Sequence, residues 1–201
     1  VVLSTAGLRF ESTGGQDFYV NYRGSRTSQG TSLTSKGRSA LGTNFKWGGI
    51  PLRSTSTASQ SATLGIMATQ ANTNITISGY DTNCVFRQGT NAAGITSNTI
   101  NITLNANQSY VLEAILNQAA ANESGWLGAS IVADKDIVVS NGGMLNMVLA
   151  GSASRDSGID QAVPEDIVGS EYVFVRGNGA NGMEIPIIIA IQDNTEIYVN
   201  G

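Results

Sequence analysis

The sequence predicts an all-β protein of antiparallel, β-sandwich-type sheets, and three observations point there. The first is composition: 24 Gly, 41% apolar and only 13% charged residues, with Asn, Thr and Ser crowding the polar positions, describe short strands cut by many turns. The second is the near absence of Ala, Leu, Glu and Lys runs at 3.6-residue spacing, which leaves little room for helices. The third is repetition. Met67-Ala-Thr-Gln-Ala-Asn-Thr-Asn-Ile-Thr-Ile-Ser-Gly79 returns without a gap as Ile189-Ala-Ile-Gln-Asp-Asn-Thr-Glu-Ile-Tyr-Val-Asn-Gly201. A sheet must bury its apolar face on a second sheet or by closing, so a sandwich built from a duplicated hairpin unit is expected, with a β-propeller of two four-stranded blades per period as the alternative.

In each copy an apolar run (64–69; 187–191) meets an Asx-rich turn, then alternating apolar positions leave it (Ile75, Ile77; Ile197, Val199). Alternation on either side of such a turn predicts a hairpin, because successive side chains point to opposite faces and Asn tolerates the left-handed conformation. Taken in order, residues 8–12 and 14–22 read as a first hairpin, and its second strand aligns with 136–141 at an offset of 119. Residues 23–40, with Arg23, Arg26, Lys36 and Arg38, read as a long basic loop. Leu41-Gly-Thr-Asn-Phe45 aligns with Val168-Gly-Ser-Glu-Tyr172 at 127, and the hairpins align at 122. Segments recurring in one order at similar offsets predict a duplicated unit, 8–79 and about 127–201, hence a division into 1–126 and 127–201. Between the copies, 99–104 and 109–114 read as another hairpin, and 112–122 as a short helix following a strand. Val1 in place of an initiator Met marks a processed or excised piece, and the period predicts an equivalent of 80–126 beyond Gly201.

The net charge of −4, the pI near 4.7 and the scatter of eight Arg and three Lys oppose nucleic-acid binding, which needs clustered cations. No apolar run reaches the roughly 20 residues that cross a bilayer as a helix. Cys84 is the one cysteine and reads as a small buried hydrophobe. The absence of His removes Ser-His-Asp and Cys-His nucleophiles and His-based zinc sites, and none of Lys36, Lys46 and Lys135 sits in a Ser-x-x-Lys setting. No catalytic residue, cofactor or metal is assigned, and the chain reads as a non-enzyme.

Gly177-Asn-Gly-Ala-Asn-Gly182 fits a dinucleotide fingerprint, but Met183-Glu-Ile-Pro186 cannot open the helix that motif requires, so it reads as a hairpin loop. The densest charged cluster is Arg155-Asp156-Ser-Gly-Ile-Asp160, followed by Glu165 and Asp166. Arg155, Asp156 and Asp160 read as an ion-paired clamp ordering a 154–166 loop, as a loop contact for a ligand or calcium, or, for the two aspartates, as a carboxylate pair working on a glycosidic bond. Trp47 and Trp126 read as core or edge packing ahead of a sugar-stacking platform. Asn74, Asn101, Asn107 and Asn122 occupy Asn-x-Ser/Thr sequons.

The ordered set Leu41-Gly-Thr, Met67-Ala-Thr-Gln, Gln108-Ser-Tyr110, Asp134-Lys-Asp-Ile-Val-Val139, Ser154-Arg-Asp-Ser-Gly-Ile-Asp-Gln161 and Val168-Gly-Ser-Glu-Tyr172 resembles the N-terminal region of IgG-Fc-binding proteins. The version it is most similar to occurs in the very large gliding-motility adhesins of Bacteroidota exported by the type IX secretion system. The resemblance implies an extracellular, cell-surface, repetitive binding module whose partners are surface polysaccharide and the secretion and gliding machinery. It carries over no ligand-binding residue. Asp136, where the family often has proline, and Ser157, where it often has an aromatic, depart from the pattern in loops.

Overall fold

The computed structural model describes residues 2–3, 7–26, 29–52, 60–88, 94–148, 155–175, 177 and 186–199. The all-β class holds: antiparallel strands alternate with four short 3-10 turns. In chain order the strands are β1 (Val2–Leu3), β2 (Asn21–Arg26), β3 (Gln29–Thr34), β4 (Gly42–Lys46), β5 (Ser61–Ala68), β6 (Thr73–Ser78), β7 (Phe86–Arg87), β8 (Ile100–Leu104), β9 (Ser109–Ile115), β10 (Ser130–Val148) and β11 (Arg155–Gln161). β2 and β3 form a separate two-stranded ribbon; the other nine make one sheet.

That sheet curls into a half-barrel, and β10 is the reason. Its first half pairs with β6 and β4, its second half with β5 and β11. The chain predicted as a hairpin over 64–79 is therefore not one: β5 and β6 lie on two arms of the sheet and pair with successive halves of β10 instead of with each other. The same correction applies to 99–114, where β8 joins β6 on one arm and β9 joins β5 on the other. Alternation places a side chain on a face without naming its neighbour strand, and an Asx turn serves an arch as well as a hairpin.

The three passes bend together. Asn72 (φ 53°) and Asn107 (φ 63°) supply left-handed turns, a conformation Asn adopts at low cost. The turns are laced by Ala68 N–H to Gln108 O (3.1 Å) and Asn107 N–H to Ala68 O (2.8 Å). Between Ala133↔Ile75 and Ile137↔Ala68 the β5–β6 chain takes seven residue steps against four on β10, and this excess makes the corner. Asp134-Lys135-Asp136 fastens it. The Asp134 carboxylate accepts from the Asn74 amide N–H and side chain (both 2.8 Å), and Lys135 Nζ donates to the Ala71 and Asn72 carbonyls (2.7 and 2.9 Å). Thr69 Oγ1 donates to the Asp136 carbonyl at 2.6 Å. The four charge-assisted contacts of Asp134 and Lys135 explain why the bend sits here.

Both arms feed one core. Leu64, Ile66, Leu112 and Val139 from one arm meet Ile75, Ile77, Leu104 and Ile131 from the other. Trp47 and Trp126, at 0% and 1% exposure, stack in it with ring centroids 3.8 Å apart. Asn122 is fully buried as well: its amide donates to the Val85 and Ile115 carbonyls and accepts from Val85 N–H. The short helix expected over 112–122 resolves into the end of β9 and two 3-10 turns, Leu116–Gln118 and Ala120–Glu123.

The N-terminal expectations need correction. Residues 8–20 form no strand, and the predicted loop 23–40 contains most of the β2–β3 ribbon, which begins at Asn21. Thr, Ser and Gly made that ribbon look like loop, but it lies against β11 and gains tertiary support that propensity does not report. In the C-terminal part, 171–175, 177 and 186–199 contain no strand among the described residues.

Candidate functional site

A cleft of about 880 Å³ lies between the β2–β3 ribbon, residues 48–50 and the β10–β11 ribbon. Glycine makes the walls. Gly142 passes so close to β11 that a Cβ would stand 2.9 Å from the Gly158 carbonyl oxygen, and a Cβ on Gly49 would meet the Trp47 ring at 2.3 Å. A side chain at either position would displace backbone or core.

Asp156 and Asp160 both line this cleft, as a reading of the charged cluster would hope, but on a strand. The predicted 154–166 loop is largely β11, which pairs with β10 through Gly142↔Ile159 and Gly143↔Gly158. Asp, Ser and Gly are poor strand formers, and pairing with a glycine pair on β10 overrides that preference. Asp156 accepts the Gly30 amide at 3.3 Å. Asp160 takes Lys36 Nζ at 3.1 Å, with the Asp160 side chain 70% exposed, and Lys36 Nζ also donates to the Gln161 carbonyl. The Arg155 side chain lies outside the described residues, as does most of the 177–182 glycine motif. Four residues apart on an extended strand, Asp156 and Asp160 share a face but stand roughly 13 Å from one another. One cation ligated at about 2.4 Å cannot take both, and carboxylates that far apart do not flank a glycosidic bond. Among the described residues no group of three or more Cys, Asp or Glu side chains could hold a metal ion.

Sequence reasoning missed the two residues that distinguish the cleft. Thr31 Oγ1 and Asn141 Oδ1 are buried with no hydrogen-bond partner in the described structure, and both residues line the cleft. Buried polar atoms are nearly always satisfied, so two orphans in one cavity mark a place for polar ligand atoms or water. Neither residue carries a local signal: each is one polar position among several in its strand.

The core residues are electrostatically quiet. Burial, with a smaller push from Asp81, raises the Cys84 thiol to about 11, and burial also raises the Tyr110 hydroxyl. Trp47 and Trp126 are core, so they offer no sugar platform. Of the sequon residues, Asn122 is sealed in the core while Asn74, Asn101 and Asn107 are exposed.

A family model described as IgGFc binding protein matches residues 30–201. The chain belongs to the IgGFc-binding protein family. That family consists of extracellular binding modules and is not an enzyme family, and no helix among the described residues is long and apolar enough to cross a membrane. The match includes the cleft walls on β10 and β11 and all of β3 except Gln29. No curated protein and no solved structure matches the chain.

Proposed function

We propose that this chain is a non-enzymatic extracellular module of a large bacterial cell-surface adhesin, and that its glycine-walled cleft holds a hydroxyl-rich polysaccharide segment. The orphaned pair Thr31 Oγ1 and Asn141 Oδ1 carries the reading. A hydroxyl that both donates and accepts, together with an amide oxygen lining the same cleft, complements sugar hydroxyls, and Arg23 and Asp156 in the lining add charged partners. Export by a type IX system and work with the gliding machinery rest on the motif resemblance. The family description supports a second reading, in which the ligand is the Fc part of IgG.

A glycan array run beside immobilised IgG Fc separates the two. Binding to neutral polysaccharide, weakened about tenfold or more by Thr31→Val or Asn141→Leu at unchanged melting temperature, supports the proposal; loss of one sound hydrogen bond in a desolvated site is worth about that much. Binding to Fc alone replaces it with the second reading. Binding to neither leaves a structural spacer. Turnover of any array component, abolished by Asp156→Asn, would make the protein an enzyme.

A further inference from the structure

We propose that the chain associates head to tail, residues 17–22 of one copy pairing as a strand with residues 186–191 of a second. The repeat offsets and the observed pairings carry this inference. Asn21↔Thr34 in the β2–β3 ribbon maps onto Ser140↔Gln161 in the β10–β11 ribbon when 119 is added to the first number and 127 to the second. Tyr22↔Leu33 and Gly24↔Thr31 map likewise onto Asn141↔Asp160 and Gly143↔Gly158. The 3-10 turn Gly37–Ala40 maps onto the region of Glu165–Ile167. At the offset of 122, Asn72 and Asn194 take the same left-handed conformation, φ 53° and 58°. Thr73 Oγ1 donates to Gln70 O at 2.9 Å as Thr195 Oγ1 does to Gln192 O at 2.7 Å.

The strand that opens the second copy, β10, is thus the one that completes the sheet of the first, by pairing with β5. Its counterpart in the first copy is 17–22, and the counterpart of β5 in the second copy is near 183–190. Among the described residues, 17–22 and 186–190 have no strand partner across this edge. Phe18 and Tyr19 are 56% and 81% exposed, Ile188 is 55% exposed, and Val173, Val175 and Val199 are each more than four-fifths exposed. A row of unpaired backbone groups flanked by exposed apolar side chains is a template for another strand. The interface observed between β10 and β5 therefore has an unfilled equivalent at 17–22 and another at 186–190, one donor and one acceptor.

Transferring the observed Ile137↔Ala68, Val138↔Met67 and Val139↔Ile66 pairs gives Phe18↔Ala190, Tyr19↔Ile189 and Val20↔Ile188. In that register Phe18, Val20, Ala190 and Ile188 take the inward positions that buried Ile137, Val139, Ala68 and Ile66 occupy. Charge agrees. Residues 8–26 carry Arg9, Arg23 and Arg26 against Glu11 and Asp17, net +1; residues 169–199 carry Glu171, Glu184, Asp193 and Glu196 against Arg176, net −3. A donor at one end and an acceptor at the other make the contact heterologous, able to run on into filaments or close into rings.

Mixing the single variants Phe18→Cys and Ala190→Cys of the full chain under mild oxidation tests the register. The pair should cross-link into dimers at least about tenfold more than Phe18→Cys with Asp193→Cys, because a three-residue slip moves the Cα atoms about 10 Å, beyond disulfide reach. Phe18 and Ala190 are exposed, so each single variant should melt as the unmodified protein does, and Phe18→Asp should abolish self-association in sedimentation without changing that melt. Equal cross-linking in both mixtures, or none in either, overturns the proposal. So does a Phe18→Cys/Ala190→Cys double variant that closes within one chain while the mixed singles stay monomeric, for that places the strand in its own molecule.

Discussion

Trp47 and Trp126 stack with centroids 3.8 Å apart and planes 19° from parallel, joining the end of β4 to the turn that precedes β10. Trp47 Nε1–H donates to the Thr63 carbonyl at 3.2 Å, so one ring is anchored to β5 while its partner is held by packing. Trp126→Ala should cost about 3–5 kcal/mol, the usual loss for an aromatic deleted from a filled core. Urea unfolding followed by far-UV circular dichroism checks this; a loss under about 1 kcal/mol would mean that the stack is peripheral.

Asn122 makes three hydrogen bonds from a fully buried position. Asn122→Ala strands one N–H and two carbonyls and should destabilise by about 2–4 kcal/mol. Expression in a glycosylating host should leave Asn122 unmodified by mass spectrometry while Asn74, Asn101 and Asn107 remain open to modification.

The Asp134 carboxyl sits below its ordinary range, chiefly because the Asn74 backbone N–H donates to it, with the Asn74 side chain and Lys135 adding to the effect. A depressed folded pKa adds stability that is present above the unfolded value of about 3.9 and is lost as pH falls through the folded one. Asp134→Asn should therefore flatten the fall of melting temperature below about pH 4, and Lys135→Ala should lower the melting temperature at neutral pH. Parallel acid profiles for Asp134→Asn and the unmodified protein would remove Asp134 from the corner's energetics.

Cys84 is buried, and its thiol lies at about 11. A thiol reagent at pH 8 should react only on the timescale of unfolding. The sign of linkage follows: the raised folded pKa adds stability fully present below the unfolded value, about 8.5, and lost as pH climbs toward 11. Cys84→Ala should remove that alkaline component of the stability profile; rapid labelling of the native protein would contradict the buried assignment.

Much of the fold was legible in the sequence, and the limits are physical. The strands around Ile75 and Ile77, Ile100 to Leu104, and Tyr110 to Ala114 stood out because alternating side chains declare a half-buried face. Their neighbours did not, since Asn72 and Asn107 look alike in a hairpin and in an arch. The fastening role of Asp134 and Lys135 was not legible, because their partners Ala71, Asn72 and Asn74 lie some sixty positions away. Asp156 and Asp160 were visible as charge, whereas Thr31 and Asn141 became visible only once their hydrogen-bonding atoms were found buried. The β2–β3 ribbon was hidden by its Thr-Ser-Gly composition, although the offset of 119 aligned its first residues, Asn21 and Tyr22, with Ser140 and Asn141.

At the centre of the structure is one strand, β10, which lies between β5 and β6 and which, in the duplication we propose, belongs to the second copy while completing the sheet of the first. Thermal unfolding of residues 1–126 alone, followed by near-UV circular dichroism of the Trp47–Trp126 stack, tests this most directly. A shared strand predicts no cooperative transition from 1–126 alone and its return when a peptide of residues 127–148 is added. A cooperative melt of 1–126 without the peptide, at a temperature near that of the whole chain, would contradict it.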